Sequence, residues 1–201
     1  MRTRLLLTWI VSSLLWPGWV SPQQSHSEKI GLGVEIGHWR PNDLSDAVDL
    51  TPSIKTKNHP YIGLMVLMPW RWGMTFRTSI GYWHYCNSST QPTPLSIEIG
   101  SLLIDLKYSI LSDVMLIPYL SYGMGWFAGK TVRSKPRLSA LGQSDELGIG
   151  ANIGTGFDFQ FSRKINLVAE FRYHYVKFKH TVAFTDNYSG PKISLGFIYW
   201  F

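Results

Sequence analysis

The last ten residues of the chain alternate in a way that few structures can adopt. Reading back from the carboxy terminus, every second side chain is apolar or aromatic, namely Phe201, Tyr199, Phe197, Leu195 and Ile193. The side chains between them are mixed and include a glycine, a serine and Lys192. Because a period of two is that of a β-strand, residues 192–201 predict a strand with one face in an apolar medium. An edge strand of a soluble β-protein is the alternative.

Seven earlier segments repeat this alternation. We predict strands at residues 29–39, 61–69, 73–86, 95–110, 114–129, 146–161 and 165–179, which makes eight with the closing segment. Long polar connections follow the first, third, fifth and seventh strands, whereas short turns follow the second, fourth and sixth. This rhythm is typical of outer-membrane barrels. The sequence therefore predicts an all-β fold, an eight-stranded antiparallel transmembrane up-and-down β-barrel.

The fourth predicted strand departs from the simple pattern. With a constant phase, Glu98 would share a face with the apolar residues of the second half of the strand. We therefore predict a β-bulge near Gly100 and Ser101, which would shift the phase by one residue.

The composition favours a sheet that faces something other than water. Charged residues make up 16% of the chain, which is low for a soluble surface, and aromatic residues make up 14%. Outward aromatics near the loop ends of the predicted strands are Tyr82, Trp126, Tyr173 and Tyr175. Those near the turn ends are Tyr108, Phe159, Phe161, Tyr199 and Phe201. Two such girdles are expected at the two interfaces of a membrane.

Glycines indicate which face of the strands meets lipid. Eight of them share the face that carries the charged residues: Gly31, Gly33, Gly123, Gly125, Gly148, Gly150, Gly154 and Gly156. A soluble barrel of the lipocalin type would carry Lys, Glu and Thr on its outer face, whereas a narrow lumen needs small residues. The charged face is therefore predicted to point inward.

The amino terminus reads as an export signal. Two arginines, Arg2 and Arg4, precede an apolar stretch at residues 5–16. This stretch is short and interrupted by Ser and Thr, which favours a secretory signal over a membrane-spanning helix. We predict a signal peptide at residues 1–21, with an uncertain cleavage site, and a barrel domain at residues 22–201. An uncleaved anchor helix is the alternative.

Three glycine- and tyrosine-rich patterns, together with the closing strand, carry a family resemblance: residues 118–125, 148–156 and 170–173. In their order and spacing, they resemble the eight-stranded bacterial outer-membrane barrels, namely the OmpA-like and OmpX-like barrels and the opacity-type porin-like proteins. The resemblance implies a multi-pass protein of the bacterial outer membrane and a monomer, in contact with outer-membrane lipid and lipopolysaccharide. It also implies that the barrel-assembly machinery recognises the closing strand through Phe201, Tyr199 and Phe197.

Strand parity points seven charged side chains into the lumen: Glu35, Arg77, Asp105, Lys107, Asp158, Glu170 and Arg172. Three are cations and four are anions. An eight-stranded barrel is only wide enough for its own side chains, and isolated buried charges are costly. We therefore expect these residues to form a connected network that plugs the lumen.

The connection after the fifth strand is basic. It carries Lys130, Arg133, Lys135 and Arg137, four cations within eight residues. At the outer surface, these side chains are expected to lie near lipopolysaccharide phosphates. An ordinary solvated loop is the alternative.

Sequence motifs do not favour an enzyme. Lipid A deacylases of similar fold use a lipid-facing His with a Ser two residues later. Here the residue two positions after His174 is Val176, and His174 is predicted to point inward. The sequence shows no phosphate loop and no metal-ligand spacing of its histidines, so we predict no cofactor. The net charge of +6, or +4 without Arg2 and Arg4, is too small to indicate nucleic acid. We predict a non-enzymatic protein with a membrane-structural or surface-interaction role; a lipid A-modifying enzyme and a small channel are the alternatives.

Overall fold

A computed structural model describes residues 30–44, 60–87, 95–111, 115–133, 145–183 and 185–201. These residues form nine strands: β1 (Gly31–Trp39), β2 (Pro60–Pro69), β3 (Met74–Asn87), β4 (Leu95–Ser109), β5 (Leu116–Arg133), β6 (Asp145–Gln160), β7 (Ile165–Val182), β8 (Thr185–Asn187) and β9 (Gly190–Trp200). Within the described ranges, no helix has the length and apolar character needed to cross a membrane.

Eight of the strands close into a barrel. Each pairs antiparallel with its neighbours in the order β1 to β7, β9 pairs with both β7 and β1, and the short β8 pairs only with β7. Closure leaves no unpaired edge among these eight strands, which is what a sheet in lipid requires. The fold is the all-β, eight-stranded antiparallel barrel that the alternation predicted.

The barrel has an apolar outside and a polar inside. Every barrel strand exposes large apolar side chains, for example Ile36, Leu64, Ile80, Ile104, Met124, Ile149, Phe171 and Leu195. The alternate residues of the same strands are buried and include all the interior charges described below. This arrangement is that of a transmembrane barrel, in which lipid replaces the core of a soluble protein as the apolar medium.

We call the two ends of the barrel the turn end and the loop end. The turn end carries the connections after β2, β4 and β6 together with the last residue, Phe201. The loop end carries the longer connections after β1, β3 and β5, and the β7–β9 connection that contains β8.

The predicted bulge in the fourth strand is wrong. The pairing of β4 with β3 and with β5 runs without a shift through Gly100 and Ser101. Ile97 and Ile99 point inward because the loop end of the lumen is itself apolar. Glu98 lies on the outer face opposite Lys130 and close to the loop end of β4.

Strand ends at the loop end also differ from the predictions. β5 continues to Arg133, so Lys130 and Arg133 lie on a strand and not in a loop, and β7 continues to Val182. β8 lies in a segment predicted to be an irregular loop. Toward the loop end, the strands continue to pair beyond their last outward apolar residues. The apolar alternation used to predict the strands therefore does not mark where they end.

Candidate functional site inside the barrel

Four charged side chains form the centre of the interior. The guanidinium of Arg77 donates Nη1 and Nη2 to the two oxygens of Glu170, at 3.1 and 2.9 Å, and Nε to Oδ2 of Asp105 at 3.1 Å. Arg172 places Nη2 2.7 Å from Glu170 Oε2 and Nη1 3.2 Å from Asp105 Oδ2. Two arginines therefore share two carboxylates, with the forked geometry that only a guanidinium provides.

Neutral side chains add hydrogen bonds to the carboxylates of this centre. Ser121 donates its hydroxyl to Glu170 Oε1 at 2.9 Å, and Asn152 donates its amide to Asp105 Oδ1 at 2.8 Å. The carboxylates therefore accept bonds from β3, β5, β6 and β7. A buried carboxylate keeps its charge only when it is paired and hydrogen-bonded in this way.

Two lysine pairs flank the centre, and both have the same design. Lys192 donates to Glu35 Oε1 at 3.0 Å, and its ammonium lies 3.8 Å from the centroid of the Tyr61 ring. Lys107 pairs with Asp158 and lies 3.9 Å from the centroid of Tyr119. Each buried ammonium thus has one carboxylate and one aromatic face, which together replace its hydration.

The interior charges balance once Lys192 is included. The structure places all seven sequence-predicted residues inside and buries them, and it adds Lys192 as a fourth cation against four anions. The predicted count of three cations against four anions was therefore incomplete. The predicted network omitted Lys192, although the period of two places this residue on the inward face of the closing strand.

An aromatic and aliphatic cluster fills the loop end of the lumen. Trp39 and Trp83 pack edge to face at 5.4 Å, and the Trp83 indole donates to the carbonyl of Trp39 at 3.0 Å. Buried members of this loop-end cluster include Leu44, Tyr61, Tyr85, Ile97, Ile99, Phe127, Val176, Phe178 and Tyr188. The sequence did not predict this apolar cluster, although a period of two puts Trp83 on the same face of its strand as Arg77.

Two of these residues come from the connections and not from the barrel strands. Leu44 is the last residue of a short helical turn at residues 42–44. Tyr188 lies between β8 and β9 and donates its hydroxyl to Val182 O at 2.6 Å. The backbone of Asn42 donates to Ser189 O at 2.9 Å, and its amide side chain donates to Tyr173 at 3.0 Å. The first bond joins the two connections, and the second ties Asn42 to β7.

A smaller apolar cluster occupies the turn end. It consists of Met65, Leu67, Tyr119, Val168, Ile198 and Trp200, all buried. The paired charges therefore lie between two apolar layers inside one barrel.

Inward glycines provide the space for the larger interior side chains. A Cβ at Gly156 would lie 2.6 Å from the hydroxyl of Tyr119, and one at Gly148 would lie 2.8 Å from the ring of Phe178. At Gly31 a Cβ would lie 2.9 Å from the indole of Trp200. Each of these three glycines therefore faces a large aromatic residue on the neighbouring strand.

His174 lies between the charged centre and the loop-end cluster. It is buried, and its ring packs 5.4 Å from Trp39 and 6.2 Å from Phe127. Val176, two residues later, is also buried on the inward face. Among the described residues, no group of three or more His, Cys, Asp or Glu side chains is arranged to hold a metal ion.

The remaining predicted residues lie at the two ends. Phe197 and Phe201 are exposed on the outer face, and the rings of Tyr199 and Phe201 pack at 4.9 Å. Lys130 lies partly buried on the outer face of β5 near the loop end. Lys135 and Arg137 fall outside the described residues, as does the predicted signal peptide.

Solved structures share this fold at low sequence identity. Neisserial surface protein A (NspA) is 13% identical with a TM-score of 0.61, over 86% of this chain and 96% of NspA. The amino-terminal barrel domain of Pseudomonas aeruginosa OprF is 14% identical with a TM-score of 0.58, over 87% and 98%. Ail, the attachment invasion locus protein of Yersinia pestis, is 13% identical with a TM-score of 0.52, over 86% and 97%.

The fold is that of the eight-stranded outer-membrane β-barrels. It matches proteins of bacterial outer membranes, the location that the sequence predicted. Neither a family model nor a curated protein sequence matches the chain. A further structure of Ail, 14% identical with a TM-score of 0.51, contains the heparin analogue sucrose octasulfate.

Proposed function

We propose that this protein is a non-enzymatic integral outer-membrane barrel with a membrane-structural or surface-interaction role, whose lumen is closed to ions. The observation that carries the proposal is the balanced interior network, in which eight buried charged residues pair between two apolar clusters. A pathway for ions needs groups that bind an ion and release it. Here the charges are engaged with one another.

The dimensions of the barrel support the same conclusion. Eight strands enclose an interior that side chains can fill, whereas porins of sixteen to eighteen strands leave an aqueous channel. Trp83 and Tyr119 are completely buried at opposite ends of the lumen, which supports an interior that side chains fill.

Planar-bilayer recording tests the closed lumen. We expect the purified, folded protein to give no sustained single-channel current, while a sixteen-stranded porin reconstituted in the same way conducts. Folding before the recording is checked by the change in gel mobility on boiling. Large, stable currents from folded protein would overturn the proposal in favour of a small channel.

The position of His174 argues against the enzyme alternative. A deacylase of this fold would need a His and a Ser that face lipid, whereas His174 and Val176 are buried inside the barrel. Purified protein should therefore leave lipid A unchanged, as followed by mass spectrometry. A mass change that required His174 would favour the enzyme.

For the surface role, we propose that the basic segment at the loop end contacts lipopolysaccharide phosphates. Its cations are Lys130, Arg133, Lys135 and Arg137, and each charge near an anionic surface contributes about 1 kcal/mol. Ail, which has the same fold, has been crystallised with a sulfated polyanion.

Neutralising all four cations should lower the amount of lipopolysaccharide that co-purifies with the barrel. The control variant neutralises Arg163 and Lys164, two cations at the opposite, turn end of the barrel. Unchanged co-purification of the loop-end variant would favour an ordinary solvated loop. We further propose that the barrel is a monomer, because its strands need no second copy to close the sheet.

A further inference from the structure

The turn between β2 and β3 has an unusual exposed sequence, Trp70-Arg71-Trp72. Trp72 is 77% exposed and Trp70 is 56% exposed, and both lie at the turn end of the barrel. Exposed tryptophans are expected where one side of the ring meets hydrocarbon and the other meets water, which is the headgroup region of a membrane.

The backbone of this turn is held in place on both sides. The amide of Trp70 donates to Met74 O at 2.7 Å, and the amide of Ser109 on β4 donates to Gly73 O at 2.9 Å. Trp72 has φ 61°, in the left-handed region that bulky residues rarely adopt. A tryptophan at a position that suits Gly or Asn indicates that the side chain, and not the turn, is what the site requires.

The outer face next to the turn suits an acyl chain. The ring of Trp70 stacks on Phe76 with centroids 4.3 Å apart, and Phe76 pairs in register with Met68, which is exposed on the same face. A continuous apolar surface thus runs from β2 and β3 to the turn.

Arg71 lies between the two tryptophans and is exposed. It makes no ion pair with any described acidic residue, whereas the interior cations Arg77, Lys107, Arg172 and Lys192 all do. An unpaired guanidinium above an apolar face complements a molecule with a phosphate at one end and hydrocarbon at the other.

We propose that the Trp70-Arg71-Trp72 turn is a binding site for one anionic phospholipid in the leaflet at the turn end. Arg71 binds the phosphate, Trp70 and Trp72 pack on either side of the headgroup, and the surface of Met68 and Phe76 contacts an acyl chain. The site lies at the end of the barrel opposite the proposed lipopolysaccharide contact and does not depend on it.

Native mass spectrometry of the folded full-length protein tests the site. Phosphatidylglycerol and phosphatidylcholine with identical acyl chains are titrated in detergent, and the apparent affinity of the first bound lipid is measured. We expect the wild type to prefer phosphatidylglycerol. Arg71→Gln should lower the affinity for phosphatidylglycerol about fivefold, the effect of one charge at a membrane surface, and leave that for phosphatidylcholine unchanged.

Arg163→Gln is the matched control, since Arg163 is an exposed cation in the turn after β6 and has no tryptophan beside it. It should stay within about twofold of the wild type, as should Arg71→Lys, which retains the charge. Equal losses in Arg71→Gln and Arg163→Gln, or no preference in the wild type, would overturn the site.

A second variant separates lipid binding from folding. Trp72→Asn places a residue that tolerates positive φ at this position, so the unfolding temperature should not fall. Retention of both lipids should nevertheless weaken, because one wall of the site is removed. A variant that binds both lipids as the wild type does would show that Trp72 has no part in the site.

Discussion

Arg172 shows how a charge is stabilised inside this barrel. Its guanidinium lies 2.7 Å from Glu170 and 3.2 Å from Asp105, and it is almost completely buried. Removing it leaves the two carboxylates with Arg77 as their remaining guanidinium partner. Breaking a buried ion pair by removing one partner typically costs about 3–5 kcal/mol, because an uncompensated charge is left behind.

We therefore expect Arg172→Ala to lower the free energy of unfolding by about 3–5 kcal/mol. Urea titration in lipid vesicles, followed by tryptophan fluorescence, measures the effect. Arg163→Ala, at an exposed turn position, is the control and should change stability by no more than about 0.5 kcal/mol. Equal effects of the two substitutions would contradict a structural role for the network.

Strand parity was sufficient to place the interior charges but not to pair them. A period of two assigns Arg77 and Glu170 to the inward face wherever their strands lie. That these two residues, 93 positions apart, meet across the lumen depends on the tilt and stagger of the strands, which no single segment encodes. Lys192 shows the same limit, since its partner Glu35 lies 157 positions away.

Among the elements, β9 closes the barrel. It pairs with β7 over Ile165–His174 and with β1 over Gly31–Trp39, and the amide of Phe201 donates to Ile30 O at 3.1 Å. Phe201 therefore ends the ladder while its ring remains exposed.

We expect deletion of Phe201, or addition of a charged tail after it, to leave precursor in the periplasm. The reason is that the proposed assembly signal, Phe201 with Tyr199 and Phe197, would lose its last position. Fractionation and heat-modifiable gel mobility measure the folded fraction in the outer membrane. The control is Phe161→Ala, which removes another exposed aromatic ring at the turn end. Wild-type amounts of folded protein from both Phe201 variants would disprove the signal.

Element boundaries were predictable only where lipid imposes the pattern. Inside the apolar belt, every second residue must be apolar, and the predicted strands there match the structure. At the loop end, Lys130 lies opposite Glu98 and Asp145, so polar pairs continue the ladder of β5 to Arg133 with no apolar alternation to reveal it. The predicted bulge was wrong for a related reason, because Ile97 and Ile99 pack in the apolar interior of the barrel and do not face lipid.

At the scale of the whole molecule, three layers of buried side chains lie in series inside the barrel. They are the loop-end cluster, the charge network and the turn-end cluster, and we propose that together they close the lumen. The closed barrel was predictable from the eight alternating segments of the sequence. The loop-end layer did not, because Leu44 and Tyr188 come from connections in which no periodicity constrains the side chains.

Because three layers lie in series, we expect the loss of one layer to leave the barrel closed to ions. Replacing both Leu44 and Tyr188 by alanine removes the residues that the connections insert into the mouth, yet the double variant should still give no sustained current. The ion pairs around Arg77 and the turn-end cluster remain in place, and an ion would have to displace both. Planar-bilayer recording measures the current. Gel mobility before and after boiling verifies that the variant is folded, because such cavities can cost several kcal/mol of stability.

A matched variant, Leu67→Ala with Trp200→Ala, opens the turn end instead and should also give no sustained current. Stable currents from the Leu44 and Tyr188 variant alone would place the whole barrier at the mouth and would leave the charge network with a role in stability only.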